Sequence, residues 1–161
     1  MRTFGLVVKG ISLLLFWISC TAIVCIVLLT VLDVTMRRTG QPIDFAMEII
    51  CMLAGIVIAL ALPMTSLNKG HVIMEFIEGK LPKNWLKVTD VLCKCIGIAI
   101  FFVIGLSTLK LGNSLRNAGQ CSPILELPEF PIPYSVSVGF FVECLVLLYM
   151  LFQTIYWEKQ V

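Results

Sequence analysis

Gly10-Ile-Ser-Leu-Leu-Leu-Phe-Trp-Ile-Ser-Cys-Thr-Ala-Ile-Val-Cys-Ile-Val-Leu-Leu-Thr-Val-Leu32 runs without a charge between Lys9 and Asp33. A helix needs about 20 apolar residues to cross the hydrocarbon core of a bilayer. This stretch is long enough. Arg2 and Lys9 ahead of it resemble the start of a signal peptide. The run is too long for a signal core, however, and no small-x-small cleavage site follows it. We read it as an uncleaved first membrane helix.

Three further runs repeat the pattern. Ile49–Leu67 lies between Glu48 and Asn68. Val88–Leu111 carries Asp90 and Lys94 near its start and Lys110 near its end, where lysines reach the interface with their charge. Tyr134–Trp157 is interrupted only by Glu143, with aromatic residues at both ends as in an interfacial belt. The spans are therefore predicted at about 10–32, 49–67, 88–111 and 134–157. The whole chain agrees with this reading. It is 59% hydrophobic and 14% charged, against roughly 25% charged in an ordinary soluble domain. Residues 1–161 are expected to form one all-α membrane domain. A net charge of +2 without a basic block gives no reason to expect nucleic acid.

Orientation follows from the loop cations. Arg2, Lys9, Lys69, Lys80, Lys83, Lys87 and Lys159 fall on one side. Arg37, Arg38 and Arg116, with Lys110 at a helix end, fall on the other. The bias places both termini in the cytoplasm. Between the second and third spans, Val72, Ile73, Phe76 and Ile77 share one helical face, with His71, Glu75 and Glu78 opposite. This predicts a short amphipathic helix at about 70–80, lying in the interface near lipid headgroups. The connection before the fourth span carries Pro123, Pro128, Pro131 and Pro133. It reads as a stiff, hairpin-like segment rather than a helix.

Candidate chemistry is sparse. His71 is the lone histidine and lies in a predicted loop. Six cysteines lie within or beside apolar runs, and only Cys121 sits in a connection, so neither a disulfide framework nor a membrane redox enzyme is indicated. No metal cluster, phosphate loop or nucleophile–base pair appears, so no cofactor and no enzyme activity is expected. Glu143, in the fourth span, is the exception. It is either a proton or cation site, or the partner of Lys94, Lys110 or a group on another subunit, and pairing is the preferred reading. Ser135, Gly139 and Glu143 recur every four residues, as do Cys51, Gly55 and Ala59 in the second span. Small residues at that spacing make packing seams. Pro63 is expected to release the carbonyl of Ala59.

The most patterned stretch joins the first two spans: Asp33-Val-Thr-Met-Arg37-Arg38-Thr-Gly40-Gln-Pro42-Ile-Asp44-Phe45-Ala-Met-Glu48. The arginines follow a helix C-terminus and Glu48 opens the next helix, each on the side the helix dipole favours. Asp44 is placed to cap the second helix. Arg37 and Glu48 stand across the turn and are expected to pair.

Arg37, Gly40, Pro42, Phe45 and Glu48, then Gly70-His71-Val72, Leu81-Pro82, and Ser122, Pro123, Leu127-Pro128, Phe130 and Tyr134 occur in the order and spacing of a known family. The chain resembles the DctQ-like small membrane subunit of tripartite ATP-independent periplasmic (TRAP) transporters over nearly its whole length. Phe45 stands where tryptophan is usual, and Asp33 where a neutral polar residue is usual. The resemblance implies a non-enzymatic, multi-pass subunit of the bacterial inner membrane. It implies a large membrane subunit that moves an organic acid on a sodium gradient, and a periplasmic binding protein that delivers it. The small subunit would brace the large one and help to dock the binding protein. Arg37, Arg38, Glu48, His71 and Glu143 are then candidate interface or structural polar residues. The other reading open to these residues is a small homodimeric transporter using Glu143 as its coupling site.

Overall fold

The computed structural model describes residues 2–40, 43–69 and 83–157. Four helices account for nearly all of them: α1 (Arg2–Arg38), α2 (Ala46–Lys69), α3 (Lys83–Ala118) and α4 (Pro131–Trp157). All four are long and apolar enough to cross a membrane. Each covers its predicted span and extends beyond it. At 1.5 Å per residue, the 37 residues of α1 and the 36 of α3 reach about 55 Å. That exceeds a hydrocarbon core of about 30 Å, so these helices tilt or project past it. The amphipathic helix predicted at about 70–80, with His71, lies outside the described residues.

The helices pack in the order α1–α2–α4–α3, with only a minor contact between α1 and α4. The central helices therefore bury the most. Val57, Ala59, Leu60 and Pro63 of α2 are buried, as are Ser137, Glu143, Cys144 and Val146 of α4. The flanking helices keep broad apolar faces exposed, including Leu14, Val24 and Leu28 of α1 and Val103 and Leu106 of α3. An aqueous surface would not tolerate such faces, but a bilayer or a membrane partner would.

Small polar side chains join the layers. The Ser19 hydroxyl of α1 donates to the Val57 carbonyl of α2 at 3.1 Å. Ser137 of α4 donates to the Gly105 carbonyl of α3 at 2.9 Å. Phe101 and Phe102 of α3 meet Phe140 and Phe141 of α4, with ring centroids 5.9 and 6.1 Å apart. Between α2 and α4 the approach is closer. Pro63 has no N–H to give the carbonyl of Ala59. Gly139 of α4 lies directly against that carbonyl, so close that a Cβ at residue 139 would sit 2.5 Å from the Ala59 oxygen. Of the two predicted seams, Gly139 and Ala59 therefore meet each other. Cys51 is exposed instead, and Gly55 faces open space.

At one end of the bundle α1 and α3 close in the same way. Gly40 and Gly119 follow α1 and α3 with φ of 83° and 61°, the left-handed conformation that closes a helix C-terminus. After Gly119, Cys121 and Pro128 form an antiparallel bridge. The Ser122 N–H donates to the Leu127 carbonyl at 2.9 Å. This is the hairpin-like segment expected from the prolines, with one correction. Pro131 and Pro133 fall in the first turn of α4, where a missing N–H costs nothing.

Candidate functional site

Among the described residues, and besides Ser19 and Ser137, four groups of polar side chains tie the bundle: two at the turn end, one in the interior and one toward the opposite end. The first fixes the α1–α2 turn. Asp33 projects from the last turns of α1 and is 7% exposed. Its Oδ2 accepts from Arg37 Nε and Nη2 at 3.1 and 3.0 Å, and its Oδ1 accepts from the Ile43 N–H at 3.2 Å. The expected pairing of Arg37 with Glu48 is thus replaced by an i, i+4 pair within α1. The reason is local: four residues along a helix are neighbours by geometry, whereas a partner across the turn must be reached. The carboxylate that takes the turn's N–H is that of Asp33, not Asp44. Arg38 is exposed.

Glu48 has a different task. It opens α2 and points to the α3–α4 connection. Its Oε1 accepts from the Ser122 hydroxyl, and its Oε2 accepts from the Leu125 N–H at 3.2 Å. One carboxylate therefore ties the start of α2 to a segment 74 to 77 residues later. Hydrogen bonds to an ionised acceptor are the stronger kind. Ser122 is 2% exposed, and the bond satisfies a hydroxyl that burial would otherwise penalise. Within the same segment Glu126 adopts φ of 52°, and its N–H donates to the Ser122 carbonyl at 3.0 Å.

The interior group centres on Glu143, which is fully buried. Its Oε1 accepts from the Ser66 hydroxyl of α2 at 2.5 Å, and its Oε2 has no hydrogen-bond partner. Ser12 of α1 is also fully buried, and its hydroxyl has no partner either. The expected ion pair between Glu143 and Lys94 or Lys110 does not form. Nor does Glu143 reach the chain's surface toward another subunit. Lys94 is engaged elsewhere: its Nζ lies 2.5 Å from Asp90 Oδ2 and 2.8 Å from the Thr154 hydroxyl of α4. Thr154 also donates to Asp90 Oδ2 at 3.3 Å. This clasp holds α3 to α4 near the end opposite the turns.

Sequence reasoning singled out Glu48, Glu143 and Arg37 but missed the groups they meet in the structure: Ser122, Ser66 and Asp33 respectively. A serine in an apolar helix carries no signal of its own. Its importance comes from what lies opposite it. Ser135, marked as a seam residue, donates to the Pro131 carbonyl of its own helix at 3.0 Å.

These groups join helices and their connections to one another. Among the described residues no three His, Cys, Asp or Glu side chains group to hold a metal ion, and all seven cysteines are free. The family model described as "Tripartite ATP-independent periplasmic transporters, DctQ component" matches residues 26–156. No curated protein and no solved structure matches the chain.

Proposed function

The chain belongs to the DctQ component family of tripartite ATP-independent periplasmic transporters, and from that premise we propose that it is the scaffold subunit of such a transporter. In this reading it forms a single membrane domain in the bacterial inner membrane, with both termini in the cytoplasm. It braces a large multi-helix subunit that imports an organic acid anion on a sodium gradient. It also helps to dock the periplasmic binding protein. The family is one of transport components rather than enzymes.

The observation that carries the reading is the destination of the polar groups. A path for an anion should present cationic or dipolar groups at mid-membrane. Among the described residues the intramembrane carboxyl Glu143 is bonded to Ser66, and Lys94 is occupied by Asp90 and Thr154. Arg37 and Arg116 lie in the last turns of α1 and α3. The helices hold one another and leave their outer faces apolar. That suits a wall against which a moving subunit works. Asp33 and Glu48 stiffen the two connections at the turn end, which supports their use as a fixed docking surface together with Arg37 and Arg38.

Co-purification tests the proposal. The tagged chain is extracted from membranes in mild detergent, and its companions are identified by mass spectrometry. A stoichiometric, larger polytopic subunit is the expected result. Recovery of a homodimer alone, with uptake abolished in E143Q, would instead support self-sufficient transport.

A further inference from the structure

Glu143 and Ser12 present a problem that the scaffold role does not answer. Both are fully buried, and each holds an oxygen atom without a partner. Their helices meet at one depth. The Ser19–Val57 bond sets the register of α1 against α2, which run antiparallel across a short turn. Seven residues back along α1 from Ser19 is Ser12, and seven forward along α2 from Val57 is Met64. At 1.5 Å per residue, Ser12 is therefore level with Met64 and about 3 Å in depth from Ser66. Ser66 in turn is bonded to Glu143. Three helices thus contribute a hydroxyl, a hydroxyl and a carboxyl to one layer of the bundle. The layer lies one turn of α4 from Gly139 and the carbonyl that Pro63 frees.

A carboxyl in the membrane interior is either protonated or matched by a positive charge. No described cationic side chain supplies one, since Lys94 is held by Asp90 and Thr154. We propose that Glu143, Ser66 and Ser12 form a site for one small monovalent cation, for which Na+ is the probe, set among α1, α2 and α4. A single carboxylate balances a single charge, and hydroxyl and carboxyl oxygens are the ligands a hard cation prefers. The bound ion ties α1 to the α2–α4 pair. The site stands on this chain's own residues, independently of its role in transport.

The test is hydrogen–deuterium exchange of the full chain, in the assembly with which it purifies, in NaCl against choline chloride at equal ionic strength. Na+ is expected to slow exchange several-fold, and saturably, in peptides covering residues 8–19 and 60–69. E143Q is expected to lose that response, and S12A to need more Na+ for it. If E143Q does not fold, S66A provides the same comparison. Equal exchange of the wild-type chain in Na+ and choline would overturn the proposal, as would an unchanged Na+ response in both E143Q and S66A. Protection produced by acid in choline would assign a proton instead. Protection that is independent of Na+ and lost only in K69M would assign the counter-charge to Lys69, three residues along α2 from Ser66. Either result would also overturn it.

Discussion

Replacing Gly139 by alanine places a methyl group where α4 meets the backbone of α2. That Cβ would lie 2.5 Å from the Ala59 oxygen, 2.8 Å from its carbonyl carbon and 3.1 Å from its Cβ. Ordinary contact begins near 3.4 Å, so the helices must part by about 0.9 Å (3.4 − 2.5) at this level. The obstacle is backbone, which cannot swing aside as a side chain does. Overpacking of this kind costs about 1–3 kcal/mol. One turn further along α4, Glu143 accepts its bond from Ser66 at 2.5 Å, and the same separation stretches it. Weakening that bond to a buried acceptor adds on the order of 1 kcal/mol. G139A should therefore destabilise the chain by about 2–4 kcal/mol. Reversible unfolding in mixed micelles, followed by far-ultraviolet circular dichroism, measures the difference. Gly55 is the internal control. A Cβ there meets nothing within 4 Å, so G55A should be neutral or stabilising by up to about 1 kcal/mol through helix propensity. G139A matching the wild type, or G139A and G55A behaving alike, would refute the close approach of α2 and α4.

Three further outcomes are expected. E48A removes both bonds to the α3–α4 connection and should cost about 2 kcal/mol, with faster proteolysis confined to residues 119–129; unchanged cleavage there would sink the anchoring role. K94M leaves Asp90, in a pair whose side chains are 12% and 11% exposed, without its cation, and should cost roughly 3 kcal/mol. The D90N/K94M double variant should recover part of that loss in the same unfolding assay, and failure to do so would contradict an ion pair as the source. R37E sets a like charge beside Asp33, but because Arg37 is 57% exposed the fold should lose less than about 1 kcal/mol. Recovery of the larger subunit in pull-downs should nevertheless fall, and normal recovery would remove Arg37 from the assembly surface.

Hydropathy alone marked four stretches long and apolar enough to cross a membrane, and the structure has a helix over each. Apolar runs of that length leave one solvent and one backbone solution. The proline-bearing connection was legible for the same reason, because missing N–H groups act locally. The ends of the helices were less so. α1 begins eight residues before its predicted start and α4 three before, since helical hydrogen bonding continues past the point where hydropathy falls. Partner choice was decided by tertiary structure. Arg37 and Glu48 look like a pair in sequence, yet each has a nearer or better-aimed partner in Asp33 and Ser122. Glu143 suggested an ion pair and found a hydroxyl instead, because the rotation and register of α2 bring Ser66, not a lysine, to its depth. Periodicity says which residues share a face. Only the packing of four helices says what that face meets, because contact depends on crossing, rotation and register that no single helix encodes.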